Sequence, residues 1–247
     1  DRSVSRGLGD VYKRQLLCFI ALCLFFTPGK AQQLSVMTLR NGATVYIWED
    51  KSKPDVFGMI AFKVGSVDDP EQYTGLAHYL EHVMFKGTQT IDALDWEKEK
   101  PIYEKIIAKY DERAALSDPA AREAVDKEIN DLTREAAQYA AGNEFSLLVD
   151  HMGGQGLNAS TGYDQTEYHN SFPPSQLEKW LEIYSERLID PVFRGFQTEL
   201  EAVYEEYNMY NDDRGSRMRE FIYEQAFGDH PYARPIICLL YTSPSPR

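Results

Sequence analysis

The five residues His78-Tyr79-Leu80-Glu81-His82 constrain this chain more than any other stretch. On a helix, histidines four apart stand one turn apart on the same face, and the glutamate before the second lies beside them. Two imidazoles do not complete a catalytic metal site, which takes three protein ligands and keeps one position open for water. A chain that uses the motif must therefore fold so that a distant ligand returns to that helix face. Otherwise His78 and His82 are only surface histidines bonded to their neighbours.

The surrounding pattern predicts such a fold. Leu34–Leu39 and Ala43–Glu49 alternate apolar and polar residues around Arg40-Asn41-Gly42 and read as a hairpin. Val56–Val64 is nearly continuous in apolar residues, which predicts a central strand. Thr74 is expected to cap the motif helix, which should stop at Gly87 with Leu76, Leu80 and Val83 facing inward. A short helix over Glu144–Met152, strands over Leu157–Thr161 and Gln165–Phe172, and an amphipathic helix over Ser175–Ile189 follow. Leu177, Trp180, Leu181, Ile183, Tyr184 and Leu188 form the apolar side of the last. One long helical stretch runs from Gly195 to about Phe227. Residues 92–143 are charged and helix-forming, punctuated by Pro101 and Asp118-Pro119, and read as a solvated antiparallel helical hairpin inserted on the outside. The expected class is α+β: an antiparallel-rich mixed sheet packed on one side by helices, with a helical-hairpin insertion.

Both ends read as foreign to that fold. Ser5–Gln15 and Cys238–Arg247 can be encoded by opposite strands of one short DNA string that resembles a transposase sequencing adapter, so residues 1–15 and 238–247 are expected to be translated adapter. Leu16–Phe26 is an apolar run of 11 residues, too short to span a bilayer. With Gly29 and Ala31 ahead of Gln32 it fits the core of a signal peptide over residues 16–31, its basic start not visible. Ala21-Leu22 before Cys23 makes a poor lipid-attachment site. A mature domain over residues 32–237, periplasmic or secreted and without a membrane span, is the expectation. All three cysteines lie outside it, which excludes a disulfide framework and thiolate chemistry there. The 39 acidic residues outnumber the 26 basic ones, giving a net charge of −13 that repels phosphate backbones and argues against a nucleic-acid partner.

The H-x-x-E-H motif is the inverted form of the commoner zinc-peptidase signature. It resembles the family of pitrilysin, insulin-degrading enzyme and the mitochondrial processing peptidase. Gly75-Leu76-Ala77 before the motif and Phe85-Lys86-Gly87-Thr88 after it are similar to the family's signature, as are Asn158-Ala159 with Thr161, His230-Pro231-Tyr232 and Arg234-Pro235. The family draws its third zinc ligand from a pattern of glutamate, six residues, glutamate, matched here by Glu199 through Glu206. The resemblance implies a processing-peptidase-like domain in which His78, His82 and Glu206 bind Zn2+, Glu81 acts as general base, and Glu199 steadies the site, with Glu205 as the rival ligand. It implies that Asn158 and Ala159 hold the backbone of a peptide or unfolded polypeptide. It further implies a missing C-terminal homologous domain or partner subunit, without which the chain should bind zinc but turn over little. The interval of 124 residues from His82 to Glu206 exceeds the family's usual one by about the size of the insertion. A non-catalytic chamber-forming subunit and a zinc-binding module without hydrolytic role are the alternatives.

Overall fold

The computed structural model describes residues 34–237. The adapter and signal-peptide expectations fall on residues outside that range. The chain forms two units that divide between Lys53 and Pro54. The first carries strands β1 (Leu34–Thr38) and β2 (Thr44–Trp48), an antiparallel pair with Leu34 opposite Trp48 and Thr38 opposite Thr44. Its turn rests on Asn41, whose side-chain oxygen accepts the Ala43 amide at 3.1 Å, and on Gly42 at φ +88.

The second unit runs through β3 (Val56–Phe62), α1 (Leu76–Val83), α2 (Trp96–Ala115), α3 (Pro119–Ala136), α4 (Glu144–His151), β4 (Gln155–Thr161), β5 (Thr166–Phe172), α5 (Leu177–Ile189), α6 (Phe196–Asp212) and α7 (Arg214–Phe227). Its sheet is antiparallel in the order β3-β5-β4, with Val56 opposite Phe172 and Thr161 opposite Thr166. The expected α+β class, with antiparallel sheets and helices, is what the structure has.

The centre of the sheet is not the strand that composition suggests. β3 lies at one edge and leaves Phe57, Met59 and Phe62 exposed, while the alternating β5 is central. A central strand with one face open needs apolar residues on only the other face. Thr166, Tyr168, Asn170 and Phe172 supply that buried face. Tyr168 and Phe172 pack with Phe145 and Val149 of α4 and with Trp180, Ile183 and Tyr184 of α5. Asn170 is fully buried and accepts hydrogen bonds from Trp180 Nε1 at 2.7 Å and the Tyr184 hydroxyl at 2.8 Å. Leu177 and Leu181, expected inside, are exposed, and Arg187 is buried instead, its guanidinium 4.1 Å from the centre of the Phe85 ring and 4.2 Å from that of Tyr168.

The motif helix also differs in detail. Gly75, in the left-handed region at φ +87, takes the cap position instead of Thr74. The Asp69 carboxylate supplies the missing acceptor, receiving the amides of Gly75 and Ala77 at 2.8 Å each. Leu76 and Leu80 are exposed; Tyr79 and Val83 are the residues that turn inward, onto Leu200 and Val203 of α6. α1 therefore packs on the helix that carries the distant carboxylates. The long helical stretch is in fact two helices, because Asp213 adopts an extended conformation and caps α7 by accepting the Ser216 amide at 2.7 Å.

Residues 92–143 form the expected hairpin. α2 and α3 are joined by Leu116–Asp118, Asp118 caps α3, and Ile102, Ile106, Val125, Ile129 and Ala136 make a separate small core. Pro101 sits inside α2 and does not interrupt it. The hairpin leaves the domain through a narrow neck. Asp92 and Glu144 each accept the other's backbone amide at 2.6 Å.

Candidate metal centre

α1 presents His78 and His82 side by side, ring centres 4.7 Å apart. α6 is held across it by the Tyr79–Val83–Leu200–Val203 cluster and by the Tyr79 hydroxyl, which donates to the Phe196 carbonyl at 2.5 Å. Residues seven apart on a helix return to nearly the same face, and Glu199 and Glu206 both meet α1. The Glu206 carboxylate lies 3.3 Å from His82 Nε2 and 3.9 Å from His78 Nε2. One donor atom each from His78, His82 and Glu206 falls within 4.8 Å of the others. Glu205 is exposed and outside this group.

Those residues fit zinc. Bonds of about 2.0–2.1 Å in a tetrahedral site separate ligand atoms by a little over 3 Å; Glu206 already stands near that distance from His82, and side-chain closure of at most about 1.5 Å completes the set. His82 Nδ1 lies 2.9 Å from Glu199, which commits that nitrogen and leaves Nε2 to the centre. Glu199 in turn pairs with Lys86. Neutral imidazole is the ligating form, and burial, reinforced by the neighbouring His82, pulls the His78 pKa down to about 4. Burial also opposes charge on His82, but the hydrogen bond that its Nδ1 donates to Glu199 and the charges of Glu206, Glu199 and Glu81 outweigh it and raise its pKa. Glu199 is the converse case: burial is overcome by His82 and Lys86, so its carboxyl is held below the usual range.

Glu81 belongs to the same helix face but not to the ligand set. Its pKa is raised, chiefly by burial, against the hydrogen bond that Thr161 donates to Oε2 at 2.6 Å. Thr161 ends β4, the other edge strand of the sheet. Asn158 and Ala159 lie opposite His169 and Tyr168 across β5, so their outer flank borders the cleft. That cleft, about 660 Å3, also takes in Tyr210 and Arg219. The sequence reading named Thr161 and Lys86 only as parts of family-like segments. Lys86 lies beyond the end of α1 at Val83, and nothing local signals either its contact with Glu199 or that of Thr161 with Glu81.

Two helix-borne imidazoles, a carboxylate from a crossing helix and a free glutamate beside them define a zinc-protease-like class of protein. Residues 44–100 and 129–239 match the family model described as Insulinase (Peptidase family M16), and the chain belongs to that family. It is 26% identical over 176 residues to an uncharacterized zinc protease of Mycobacterium leprae (strain TN), covering 70% of this chain and 28% of that protein. It is 28% identical over 178 residues to one from Mycobacterium tuberculosis (strain ATCC 25618 / H37Rv), covering 70% and 29%. Protease 3 of Escherichia coli (strain K12) is 36% identical over 64 residues, 26% of this chain and 7% of that one. Among solved structures, a protease from Helicobacter pylori superposes with a TM-score of 0.59 at 22% identity, covering 83% of this chain and 38% of the other. Pitrilysin superposes with a TM-score of 0.58 at 21% identity, covering 87% and 18%. These two likenesses concern the fold. The chain thus spans under a third of the mycobacterial relatives it matches, and the family and their names imply zinc.

Proposed function

We propose that this chain is the metal-binding catalytic domain of a zinc endopeptidase that hydrolyses extended peptides or unfolded polypeptides. The observation that carries the reading is the convergence of His78, His82 and Glu206 within 4.8 Å, with Glu81 alongside and unligated. When bound there, zinc supplies a Lewis acid for the scissile carbonyl and lowers the pKa of water. His78, His82 and Glu206 would hold the ion, the histidines through a ring nitrogen in the neutral form, and Glu199 fixes the His82 ring through Nδ1. Glu81 takes a proton from the attacking water and returns it to the leaving amine. Thr161 occupies one oxygen of Glu81 and orients the other for that transfer. The open flank of β4 at Asn158 and Ala159 accepts substrate as an added strand, which favours extended backbone over particular side chains.

The share of its relatives that the chain spans supports a further part of the proposal: a homologous domain or partner subunit completes the cleft, and this chain alone binds zinc with little turnover. A periplasmic or secreted location belongs to the same proposal and rests on the Leu16–Phe26 pattern. Among the described residues no helix is long and apolar enough to cross a membrane.

The test is Glu81→Gln beside His82→Ala, each in the whole protein. Glu81→Gln should keep one zinc and lose peptide hydrolysis by at least about 100-fold, whereas His82→Ala should lose the metal itself. Unchanged hydrolysis in Glu81→Gln would remove Glu81 as the base, and zinc binding with no hydrolysis by the unsubstituted protein would leave only a zinc-binding module.

A further inference from the structure

The family match passes over residues 101–128, the outer part of the α2–α3 hairpin. The base of that hairpin is nevertheless joined to the metal centre by a chain of buried polar contacts. Glu99, on the first turn of α2, is 1% exposed, and its carboxylate takes Arg194 Nε at 2.6 Å and Nη2 at 2.9 Å. The rest of the Arg194 fork grips backbone carbonyls of the segment leaving α1. Nη1 donates to Lys86 at 3.0 Å and to Ile91 at 3.4 Å, and Nη2 to Thr88 at 2.7 Å. All five guanidinium protons are engaged.

The approach is close enough to exclude a side chain at Gly87, which takes φ +88 and where a Cβ would lie 2.5 Å from the Ile91 carbonyl and 3.0 Å from Arg194 Nη1. Lys86, its carbonyl fixed by Arg194, directs its ammonium to Glu199, and Glu199 holds His82 Nδ1. A second contact runs beside the first: Tyr110 of α2, within the unmatched stretch, meets the ring of Phe196 at 5.3 Å, one turn before Glu199 on α6.

We infer that Glu99 is a positioning residue for the metal centre, acting through Arg194 and Lys86 on the Glu199–His82 pair, so that the inserted hairpin sets how firmly the site holds zinc. Three neutral carbonyls do not balance a guanidinium; the Glu99 carboxylate does, and both oxygens are needed for the fork to keep its angle. Without that charge the fork relaxes, the 86–91 segment shifts, and Lys86 no longer fixes Glu199. The inference rests on the zinc reading above, and its test separates the two.

The experiment measures zinc affinity of the whole chain by chelator competition for the unsubstituted protein, Glu99→Gln, Lys86→Met and the double variant, with folding followed by circular dichroism. Contacts one shell out from a metal usually govern 10–100-fold in affinity; Glu99 acts through Arg194, Lys86 and Glu199, so Glu99→Gln is expected to weaken zinc measurably but by no more than about tenfold. In the Lys86→Met background it should cost no further affinity, because the link is already cut. Cobalt substituted for zinc should show a shifted visible spectrum in Glu99→Gln. Equal affinities for Glu99→Gln and the parent, or losses that add in the double variant, overturn the inference. If Glu99→Gln does not fold, Arg194→Lys serves, since lysine keeps the charge without the fork and should weaken zinc similarly. Failure of both to fold makes the pair a general brace and overturns the inference too. Absence of zinc binding by the unsubstituted chain instead defeats the zinc reading.

Discussion

Glu81 differs from Glu199 because a hydroxyl, not a lysine ammonium, takes one of its oxygens. Removing that hydroxyl by Thr161→Val should lower kcat by about tenfold while leaving zinc content intact; equal loss of zinc would mean that Thr161 supports the helix, not the base. His78 gives a pH signature in the metal-free protein. Its pKa is about 4 when folded against 6.5 for a free imidazole, so between those values the unfolded chain binds a proton that the native state refuses. Stability contributed by His78 is therefore present above pH 6.5 and is lost as pH falls toward 4, by roughly 3 kcal/mol. Denaturant midpoints at the two ends of that range should differ less in His78→Gln than in the parent, and an identical difference refutes the assignment. In the core, Asn170→Leu strands the Trp180 and Tyr184 donors and should cost about 2–4 kcal/mol, read from the same kind of curve.

At the scale of elements, Gly58 shows how tightly α5 lies on the sheet. A Cβ there would stand 2.7 Å from both Phe172 and Trp180, so Gly58→Ala should destabilise by about 1–3 kcal/mol without touching the metal centre. Most elements were legible in the sequence because their signals are local: the Arg40-Asn41-Gly42 turn, the period of the motif helix, the Asp118-Pro119 break. What escaped it depends on partners far along the chain. β3 looks central by apolar content, yet position in a sheet is decided by which strands can pair, and a run of apolar residues carries no such information. Asp213 interrupts a stretch whose composition is helical on both sides. Within the site, His78, Glu81 and His82 declare themselves by spacing alone, and Glu199 and Glu206 needed the resemblance. The Thr161–Glu81, Lys86–Glu199 and Glu99–Arg194 contacts cross between segments and leave no periodic trace. Leu76 and Leu80 illustrate the same limit, since the face of α1 that turns inward is chosen by α6.

For the whole molecule, a metal bound between α1 and α6 would tie together segments 124 residues apart in sequence. Zinc should therefore act as a folding ligand: at a free concentration 100 times its Kd it adds about 2.7 kcal/mol, and thermal unfolding with and without chelator should show the rise. Identical melting temperatures would separate these helices from any common ion. The neck of the hairpin has a different kind of consequence. Because the chain departs at Asp92 and comes back at Glu144 with the two amides exchanged, growth or shrinkage beyond that gate leaves the remaining backbone path unchanged. Such an arm can be lengthened or trimmed beyond its root at no cost to the interior, whereas trimming back past Glu99 would take away the carboxylate that Arg194 grips.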